Sequence, residues 1–216
     1  MKEIEIFYDI ISPYAYLGLK LFSKHKISQE VQFTITPVSL GSILGSTGNP
    51  GPANITPKRK VALYDFCLQC IRHDIPALGP PKHPFNPMPA TRFISCIEDH
   101  ELRFKAALFI NKCCWADGLA VDTEEALTDL LKKTDFFQNE WEDIYAFTKA
   151  NGGRKKMKMA TNRALELDIF GVPTFRYDNV NFWGSDRLEL LEDYIENPDK
   201  YQNTNYQKML NTPSGM

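Results

Sequence analysis

The chain opens with a hydrophobic pattern of period two. Residues 3–8 begin by alternating glutamate with isoleucine, as a half-buried strand does. The apolar run at 14–22 suits a helix, and the Ser12-Pro13 pair marks its start, because serine caps helices and proline fits their first position. Residues 31–37 have the pattern of a second strand. Together these segments predict a β-α-β unit with parallel strands.

The rest of the chain changes from loop to helix and back to strand. Glycine, serine, asparagine and proline dominate residues 41–57, which we expect to form a long loop. Residues 58–167 carry a mainly helical pattern. Two short strands are predicted at 174–177 and 180–183, and a last helix over residues 185–197.

This order of elements predicts an α/β fold with a thioredoxin-like core (β-α-β, then β-β-α) and a large all-helical insertion. The core is expected to comprise residues 1–57 and 168–198, and the inserted helical domain residues 58–167. Residues 199–216 are polar, and we expect them to form a loosely held C-terminal tail.

Composition and charge exclude several classes of partner. The 216 residues are 43% hydrophobic and 24% charged, and the net charge of −2 gives no reason to expect nucleic acid or an anionic membrane as a partner. No apolar run approaches the ~18 residues of a membrane span. Residues 1–6 lack the pattern of a secretory leader. We therefore expect a cytoplasmic protein.

The five cysteines fit a reducing compartment, because an odd number without a secretory leader argues against a disulfide framework. Cys67 and Cys70 have the spacing of a redox motif, but they lie inside the helical pattern of residues 60–73. A low thiol pKa arises instead at a helix N-terminus. We expect these cysteines to be structural or incidental, and we expect no metal site.

Two segments that are far apart in the chain are candidates for chemistry. Ser12 is predicted at the carboxyl end of the first strand and at a helix N-terminus, where its hydroxyl can stabilise a bound thiolate. The simpler alternative is that Ser12 only caps the helix. The Val172-Pro173 bond, preceded by Gly171, is predicted to be cis and to offer its backbone to an extended peptide. A plain proline at the start of a strand is the alternative.

Two further segments are candidates for binding the charged ends of a ligand. Asp186 follows Ser185 at the start of the last predicted helix and suits an ammonium group, although both residues also suit a helix cap. Residues 48–54 and Lys58 offer side-chain amides and a cation for carboxylates. The alternative is an ordinary loop rich in turns.

The four segments together resemble the kappa-class glutathione transferases and the related 2-hydroxychromene-2-carboxylate isomerases, which belong to the DsbA-like thioredoxin superfamily. The matching strings are residues 7–18, 48–54, 170–174 and 183–188, and the resemblance extends over about 3–197. Each string alone is weak, whereas their order and spacing together are specific.

The resemblance implies that glutathione is the cofactor, that Ser12 is catalytic by holding its sulfur, and that the protein forms a homodimer. It also implies a small aromatic or electrophilic substrate. The residues that it assigns to glutathione are Ser12, Asn49, Lys58, Val172, Pro173, Trp183, Gly184, Ser185 and Asp186. Those that it assigns to the organic substrate are Asn54, Ile55 and Phe85.

Two differences from relatives bear on the activity. Leu44 stands where the isomerases carry a lysine, which leaves Lys58 or Lys60 to bind a substrate carboxylate. Neither Ser12 nor Ala15 is a cysteine, so dithiol exchange is not available at this position.

The leading hypothesis is a glutathione-dependent isomerase in which the thiolate adds reversibly to an aromatic pyruvate-like substrate. Tyr14, Phe85 and Trp183 are candidate walls of an aromatic pocket, unless they are plain core residues. The alternatives are a kappa-type transferase that conjugates electrophiles, a non-catalytic thiol- or peptide-binding module, and a dithiol oxidoreductase that uses Cys67 and Cys70.

Overall fold

A four-stranded mixed sheet forms the centre of the molecule. The structure, a computed structural model, describes residues 3–134, 140–202, 209 and 211–213. The strands are β1 (Ile4–Tyr8), β2 (Phe33–Pro37), β3 (Thr174–Tyr177) and β4 (Val180–Trp183). Their order in the sheet is β2-β1-β3-β4.

The pairing of the strands confirms the predicted thioredoxin-like core. β1 runs parallel to β2, with Ile6 opposite Ile35, and antiparallel to β3, with Ile6 opposite Phe175. β4 pairs antiparallel with β3. β1 therefore occupies the middle of the sheet, and its carboxyl end leads directly to Ser12.

Helices and loops make up the described residues between β2 and β3. The α-helices are α1 (Pro13–Lys24), α2 (Ile27–Glu30), α3 (Leu40–Ser46), α4 (Thr56–Arg72), α5 (Met88–Cys96), α6 (His100–Asn111), α7 (Glu124–Leu131), α8 (Glu140–Phe147), α9 (Gly153–Glu166) and α10 (Leu188–Glu196). Short 3-10 segments are Pro52–Asn54, Ser185–Arg187 and Pro198–Tyr201, and π-helical turns are Lys112–Ala116 and Thr148–Gly152.

Three predicted boundaries were wrong. The second strand begins at Phe33 rather than at residue 31. The predicted loop 41–57 contains most of α3, because the Ser39 hydroxyl caps a helix that its glycine-rich composition disguised. The last α-helix begins at Leu188, since the three residues before it form a 3-10 turn.

The helical insertion shares its hydrophobic core with the sheet. Phe22 of α1 packs against Phe175 on one face, with ring centroids 5.9 Å apart. On the other face Arg163 of α9 lies over the ring of Phe7. Buried apolar residues of the sheet and of the insertion belong to one continuous cluster. The division into two domains therefore stays a prediction.

The start of the predicted tail packs against α10. Residues 198–201 form a 3-10 turn, and the side chains of Lys200 and Tyr201 both donate to the carboxylate of Asp193. Most of the predicted tail beyond residue 202 lies outside the described residues.

Candidate active site

Ser12 joins the end of β1 to the start of α1. Its backbone is extended (φ −86°, ψ 120°), its hydroxyl accepts a hydrogen bond from the N–H of Ala15 at 3.2 Å, and Pro13 follows at the first helical position. The predicted helix cap is therefore confirmed. Ser12 is 7% exposed. Its hydroxyl thus lies at a helix N-terminus, where free N–H groups and the helix dipole favour a negative charge.

The loop before β3 meets Ser12 directly. The Val172-Pro173 peptide bond is cis, as predicted, and the Ser12 hydroxyl donates to the Val172 carbonyl at 3.4 Å. This is long for an O–H···O bond, which is usually ~2.8 Å, so the hydroxyl turns to another acceptor at little cost. Pro173 lies close against α1, since a Cβ at Gly18 would be 2.8 Å from its Cγ.

The turn after β4 is fixed to the cis-proline loop. The N–H of Gly184 donates to the carbonyl of Pro173 at 3.0 Å. Gly184 has a φ of +119°, and a Cβ there would collide with the Asp186 carboxylate, so the turn requires glycine. Ser185 is buried, whereas Asp186 is exposed and pairs with Arg187 at 2.9 Å.

Trp183 forms an exposed aromatic pair beside this turn. It is 51% exposed and packs edge-on against Phe170, with ring centroids 4.6 Å apart. A Cβ at Gly171 would lie 2.6 Å from the indole nitrogen of Trp183. The ring therefore covers the residue next to Val172, and its exposed part borders the cis-proline loop.

A groove of about 520 Å³ begins at Ser185 and Asp186 and follows α1. The remaining residues along it are Leu17, Leu21, Lys24, His25, Gln69, Arg72, His73, Leu188 and Glu189. A ligand held at the turn after β4 therefore has both apolar and charged surface beside it.

The loop between α3 and α4 is braced by its own side chains. The side-chain oxygen of Asn49 accepts from the N–H of Gly51 at 2.9 Å, and the Asn54 amide donates to the Pro50 carbonyl at 2.6 Å. Gly51 has a φ of +73°, and a Cβ there would lie 2.8 Å from Leu44. Leu44 thus packs beneath this loop.

The predicted residues of this loop lie mainly at the surface. Asn49, Asn54 and Lys58 are exposed and Ile55 is half-buried. Among the hydrogen bonds of the described residues, none joins them to Ser12. The hydrogen bonds that build the site join Ser12 to the cis-proline loop and join that loop to the turn after β4.

Phe85 reaches the site through a neighbour. It is 8% exposed and borders a cavity of about 190 Å³, beside which Lys82 and Asp122 form an ion pair of 3.0 Å. Its ring centroid lies 6.4 Å from that of His83, whose Nε2 is 3.0 Å from the Ile11 carbonyl. Phe85 is therefore connected to the segment before Ser12 by one intervening ring.

Sequence reasoning assigned no role to Asp9, which is fully buried at the end of β1. Its carboxylate accepts from the N–H of Leu40 at 2.9 Å and from that of Ile11 at 3.2 Å. Burial raises the pKa of Asp9 to about 6, although these hydrogen bonds oppose the shift. Asp9 thereby ties the Ser12 segment to the start of α3. A polar residue that ends an apolar strand was the available signal.

Two rings from the insertion hold the same segment. The indole N–H of Trp115 donates to the Ile10 carbonyl at 2.8 Å, and His83 lies at the Ile11 carbonyl. Burial lowers the pKa of His83, so its ring is neutral near pH 7 and donates through Nε2. These contacts span 105 and 72 residues, and no local motif announces them.

The cysteine pair lies inside α4, as predicted. Cys67 is exposed and Cys70 is buried. Burial raises the pKa of the Cys70 thiol to about 11. Because thiol exchange requires a thiolate, this position disfavours dithiol chemistry. Within the described residues no metal-binding cluster of His, Cys, Asp or Glu occurs, and no helix is long and apolar enough to cross a membrane.

Comparison with models of protein families identifies the family of this chain. Residues 3–196 match the model of the DSBA-like thioredoxin domain. The chain belongs to the DSBA-like thioredoxin domain family. The match covers both terminal parts of the sheet and the helical insertion, and it confirms the predicted fold class.

Relatives of this DSBA-like chain carry the names of two kinds of enzyme, an isomerase and a glutathione transferase. A 2-hydroxychromene-2-carboxylate isomerase of Pseudomonas putida is 26% identical over 193 residues, which cover 88% of this chain and 92% of the isomerase. Glutathione S-transferase kappa 1 of Caenorhabditis elegans is 23% identical over 211 residues, which cover 92% of each chain. The resemblance to these two families is thus confirmed.

Solved structures agree on the DSBA-like fold. A 2-hydroxychromene-2-carboxylate isomerase (HCCA isomerase) superposes with a TM-score of 0.76 at 20% identity, over 97% of this chain and 99% of that one. The cytosolic disulfide reductase DsbM of Pseudomonas aeruginosa with GSH superposes with a TM-score of 0.61 at 13% identity, over 92% and 94%. At these identities the likeness shows the fold alone.

Proposed function

We propose that the protein binds glutathione and uses its thiolate as a nucleophile. One observation carries the proposal: the Ser12 hydroxyl lies at the N-terminus of α1 and within 3.4 Å of the cis-proline loop. A helix N-terminus and a hydroxyl donor both stabilise a thiolate. The relatives named glutathione S-transferase kappa and the DsbM structure with GSH support the choice of thiol.

In this proposal each part of glutathione lies against a different part of the site. Its sulfur faces Ser12, its cysteinyl backbone pairs with Val172, and its γ-glutamyl end lies at the turn of Trp183, Gly184, Ser185 and Asp186. The ion pair of Asp186 with Arg187 is exposed and therefore weak, so the α-ammonium group of the ligand can replace the arginine. Ser185 is buried within this turn.

The glycyl end is assigned to Asn49 and Lys58. Both side chains are exposed, so their amide and ammonium groups are available to a carboxylate. Asn49 uses its side-chain oxygen within the loop and keeps its NH₂ donors for a ligand.

Isomerisation is the leading reaction, because three of the relatives are named 2-hydroxychromene-2-carboxylate isomerase. The thiolate adds to a conjugated carbon of the substrate, and the electron pair of the double bond moves to the neighbouring carbonyl as an enolate. The former double bond rotates, the enolate reforms it, and the thiolate leaves unchanged. Asn54, Ile55 and Phe85 are assigned to the organic part of the substrate.

Leu44 supports a second candidate, a kappa-type transferase that releases the thioether. The isomerases carry a lysine at this position, and here the leucine packs against Gly51 instead. Without that cation, the carboxylate of a pyruvate-like substrate depends on Lys58 or Lys60, which are both exposed. A neutral electrophile has no such requirement.

Calorimetric titration with glutathione and with S-methylglutathione tests the shared premise. We expect both to bind, because they share the backbone contacts and the charged ends, and we expect millimolar glutathione to raise the melting temperature. Absence of binding by both ligands would refute the proposal. Binding without turnover in either assay below would instead support a thiol-binding module.

The pKa of bound glutathione tests Ser12, because a thiolate absorbs ultraviolet light that the neutral thiol does not. We expect Ser12→Ala to raise that pKa by about 1 to 2 units, since a hydrogen bond to a charged group contributes ~1.5–3 kcal/mol. Ser12→Thr, which keeps a hydroxyl, is expected to retain the low value. Thr123→Ala removes a comparable cap from α7, where Thr123 accepts from Ala126 at 3.1 Å, and controls for lost helix stability. An unchanged pKa in Ser12→Ala would contradict the role of the hydroxyl.

Two assays run side by side separate the reactions. Isomerisation of 2-hydroxychromene-2-carboxylate that needs glutathione only in a catalytic amount indicates the isomerase. Consumption of glutathione in a stoichiometric amount with chlorodinitrobenzene indicates the transferase. Leu44→Lys provides a matched variant, because it restores the cation of the isomerases. We expect it to improve KM for the carboxylate substrate only.

A further inference from the structure

Arg59, near the start of α4, lies next to residues assigned to the organic substrate. Its backbone N–H donates to the carbonyl of Ile55 at 2.8 Å. Its guanidinium Nη2 donates to the carbonyl of His83 at 3.0 Å. The ring of His83 in turn lies 6.4 Å from that of Phe85, measured between centroids. Arg59 therefore contacts Ile55 directly and is connected to Phe85 through one residue, although the resemblance to known relatives gave Arg59 no role.

His83 also connects Arg59 with the end of β1. Its Nε2 lies 3.0 Å from the carbonyl of Ile11, the residue before Ser12. Burial lowers the pKa of His83, and the nearby charge of Arg59 lowers it further. The guanidinium is therefore held beside a neutral ring, and two hydrogen bonds through His83 link it to the segment that carries Ser12.

The charge of Arg59 has no compensating carboxylate among the described residues. Asp65, the acidic residue of α4, accepts a hydrogen bond from the hydroxyl of Tyr14 at 2.7 Å instead. No ion pair in the described part of the chain includes Arg59. The residue is half-buried, and its Nε is buried without a hydrogen-bond partner. A charged group that is partly desolvated and incompletely paired is costly, and a bound anion would reduce that cost.

The start of α4 is an unfavourable place for cations, yet it carries three in succession. Lys58, Arg59 and Lys60 lie in its first turns, where the positive end of the helix dipole repels them. The first turn contains no acidic residue, and no side chain caps it. Folding stability does not account for this concentration of positive charge, whereas an anionic ligand does. Among the three, Arg59 is half-buried and the two lysines are exposed.

We propose that Arg59 determines the specificity of the organic-substrate site by binding the carboxylate of an aromatic acid. A guanidinium can hold a carboxylate through two parallel hydrogen bonds, and Arg59 gives only one of its five donors to His83. It adds to Lys58 and Lys60 a third cation, which is held in place and partly shielded from water, so its attraction to an anion is stronger. The inference rests on the proposed function, because it names the substrate class of that site: an acid rather than a neutral electrophile.

Calorimetric titration with 4-phenyl-2-oxobutanoate and with its methyl ester tests the inference. Neither probe has a conjugated double bond to which a thiol could add, and the two differ in the charge of one group. Each is titrated into the free protein and into protein saturated with S-methylglutathione. We expect the wild type to bind the acid at least about 10-fold more tightly than the ester. Arg59→Met is expected to bind the acid about 10- to 100-fold more weakly and the ester unchanged.

Two further variants separate binding of the carboxylate from structural effects. Lys60→Met removes an exposed cation next to Arg59 and is the control for lost positive charge, so it is expected to keep the preference for the acid. Arg59→Lys keeps the charge without the planar fork and is expected to show a preference between those of the wild type and Arg59→Met. A merely structural role of Arg59 would weaken binding of the acid and the ester alike, whereas the proposed role changes their ratio.

Equal binding of the acid and the ester by the wild type, or no binding of either, would overturn the inference. So would a full preference for the acid in Arg59→Met or in Arg59→Lys, and the second variant keeps the test decisive if the first does not fold. If Arg59→Met weakened binding of S-methylglutathione and spared the acid, Arg59 would belong to the glycyl end of glutathione, and the inference would also fail.

Failure of the proposed function has a different signature. S-methylglutathione would then not bind, while the acid would still bind the free protein with a preference that depends on Arg59. In that case the carboxylate site would stand without the glutathione site.

Discussion

The buried carboxylate of Asp9 predicts a measurable dependence of stability on pH. Its pKa is raised from 3.8 to about 6 in the folded protein, chiefly because burial disfavours the charged form. The folded state therefore holds the proton more tightly than the unfolded state. Between these two values the stabilising contribution of Asp9 is present at low pH and is lost as the pH rises through 6.

The size of this effect follows from the shift of the pKa. A shift of about two units corresponds to ~3 kcal/mol over the whole titration, of which about 2 kcal/mol falls between pH 4.5 and 7.5. Asp9→Asn has no proton to lose. The free energy of unfolding of the variant relative to the wild type is therefore expected to rise by about 2 kcal/mol between these pH values.

Guanidinium unfolding of both proteins at a series of pH values measures this difference, and all other titrating groups cancel in it. Asp9→Leu is the matched control. It lacks both acceptors, so it is expected to be less stable than Asp9→Asn by a constant amount but to share its pH-dependent part. If the stability curves of wild type and Asp9→Asn ran parallel, the carboxyl would not carry the shifted pKa, and the reasoning would be refuted.

Three further variants test the site and its alternatives. Gly184 has a φ of +119°, and the Cβ of Gly184→Ala would collide with Asp186. This variant is expected to lose ~1–3 kcal/mol of unfolding free energy in denaturant and to bind glutathione more weakly in calorimetry. A neutral effect would show that the turn does not shape the site. Trp115→Phe removes the donor to the Ile10 carbonyl. The free energy of unfolding is therefore expected to fall by ~1–3 kcal/mol, and amide exchange in residues 9–12 is expected to become faster. Unchanged exchange would contradict the contact. Cys67→Ser is expected to leave insulin reduction absent and glutathione-dependent turnover unchanged, whereas loss of activity would revive the dithiol alternative.

The local pattern of the chain was enough to predict the order of elements at its two ends. Alternation in residues 3–8, the Ser12-Pro13 helix start and the glycine and proline before β3 each act over a few residues, so a single sequence displays them. Prediction was weaker where composition and capping disagree. The glycines of α3 concealed a helix whose start depends on the single hydroxyl of Ser39.

The candidate site likewise contains features that were predictable from the sequence and features that were not. Ser12 and the cis Val172-Pro173 bond were both predictable, and the contact between them supports that pairing across 160 residues. The roles of Asn49, Lys58 and the other assigned binding residues rest on resemblance and remain predictions. The hydrogen bonds of Asp9, His83 and Trp115 were not predictable, because their partners are mainly backbone groups brought near by packing.

The sequence by itself determined the thioredoxin-like order of strands and helices and placed a serine, not a cysteine, at the start of α1. These properties reside in residue identities and short-range spacing. Only the tertiary structure decided that side chains of the insertion hydrogen-bond to the segment before Ser12, and that α4 leaves an apolar face exposed. Both depend on which surfaces meet when distant parts of the chain share one core, and no local pattern encodes that choice.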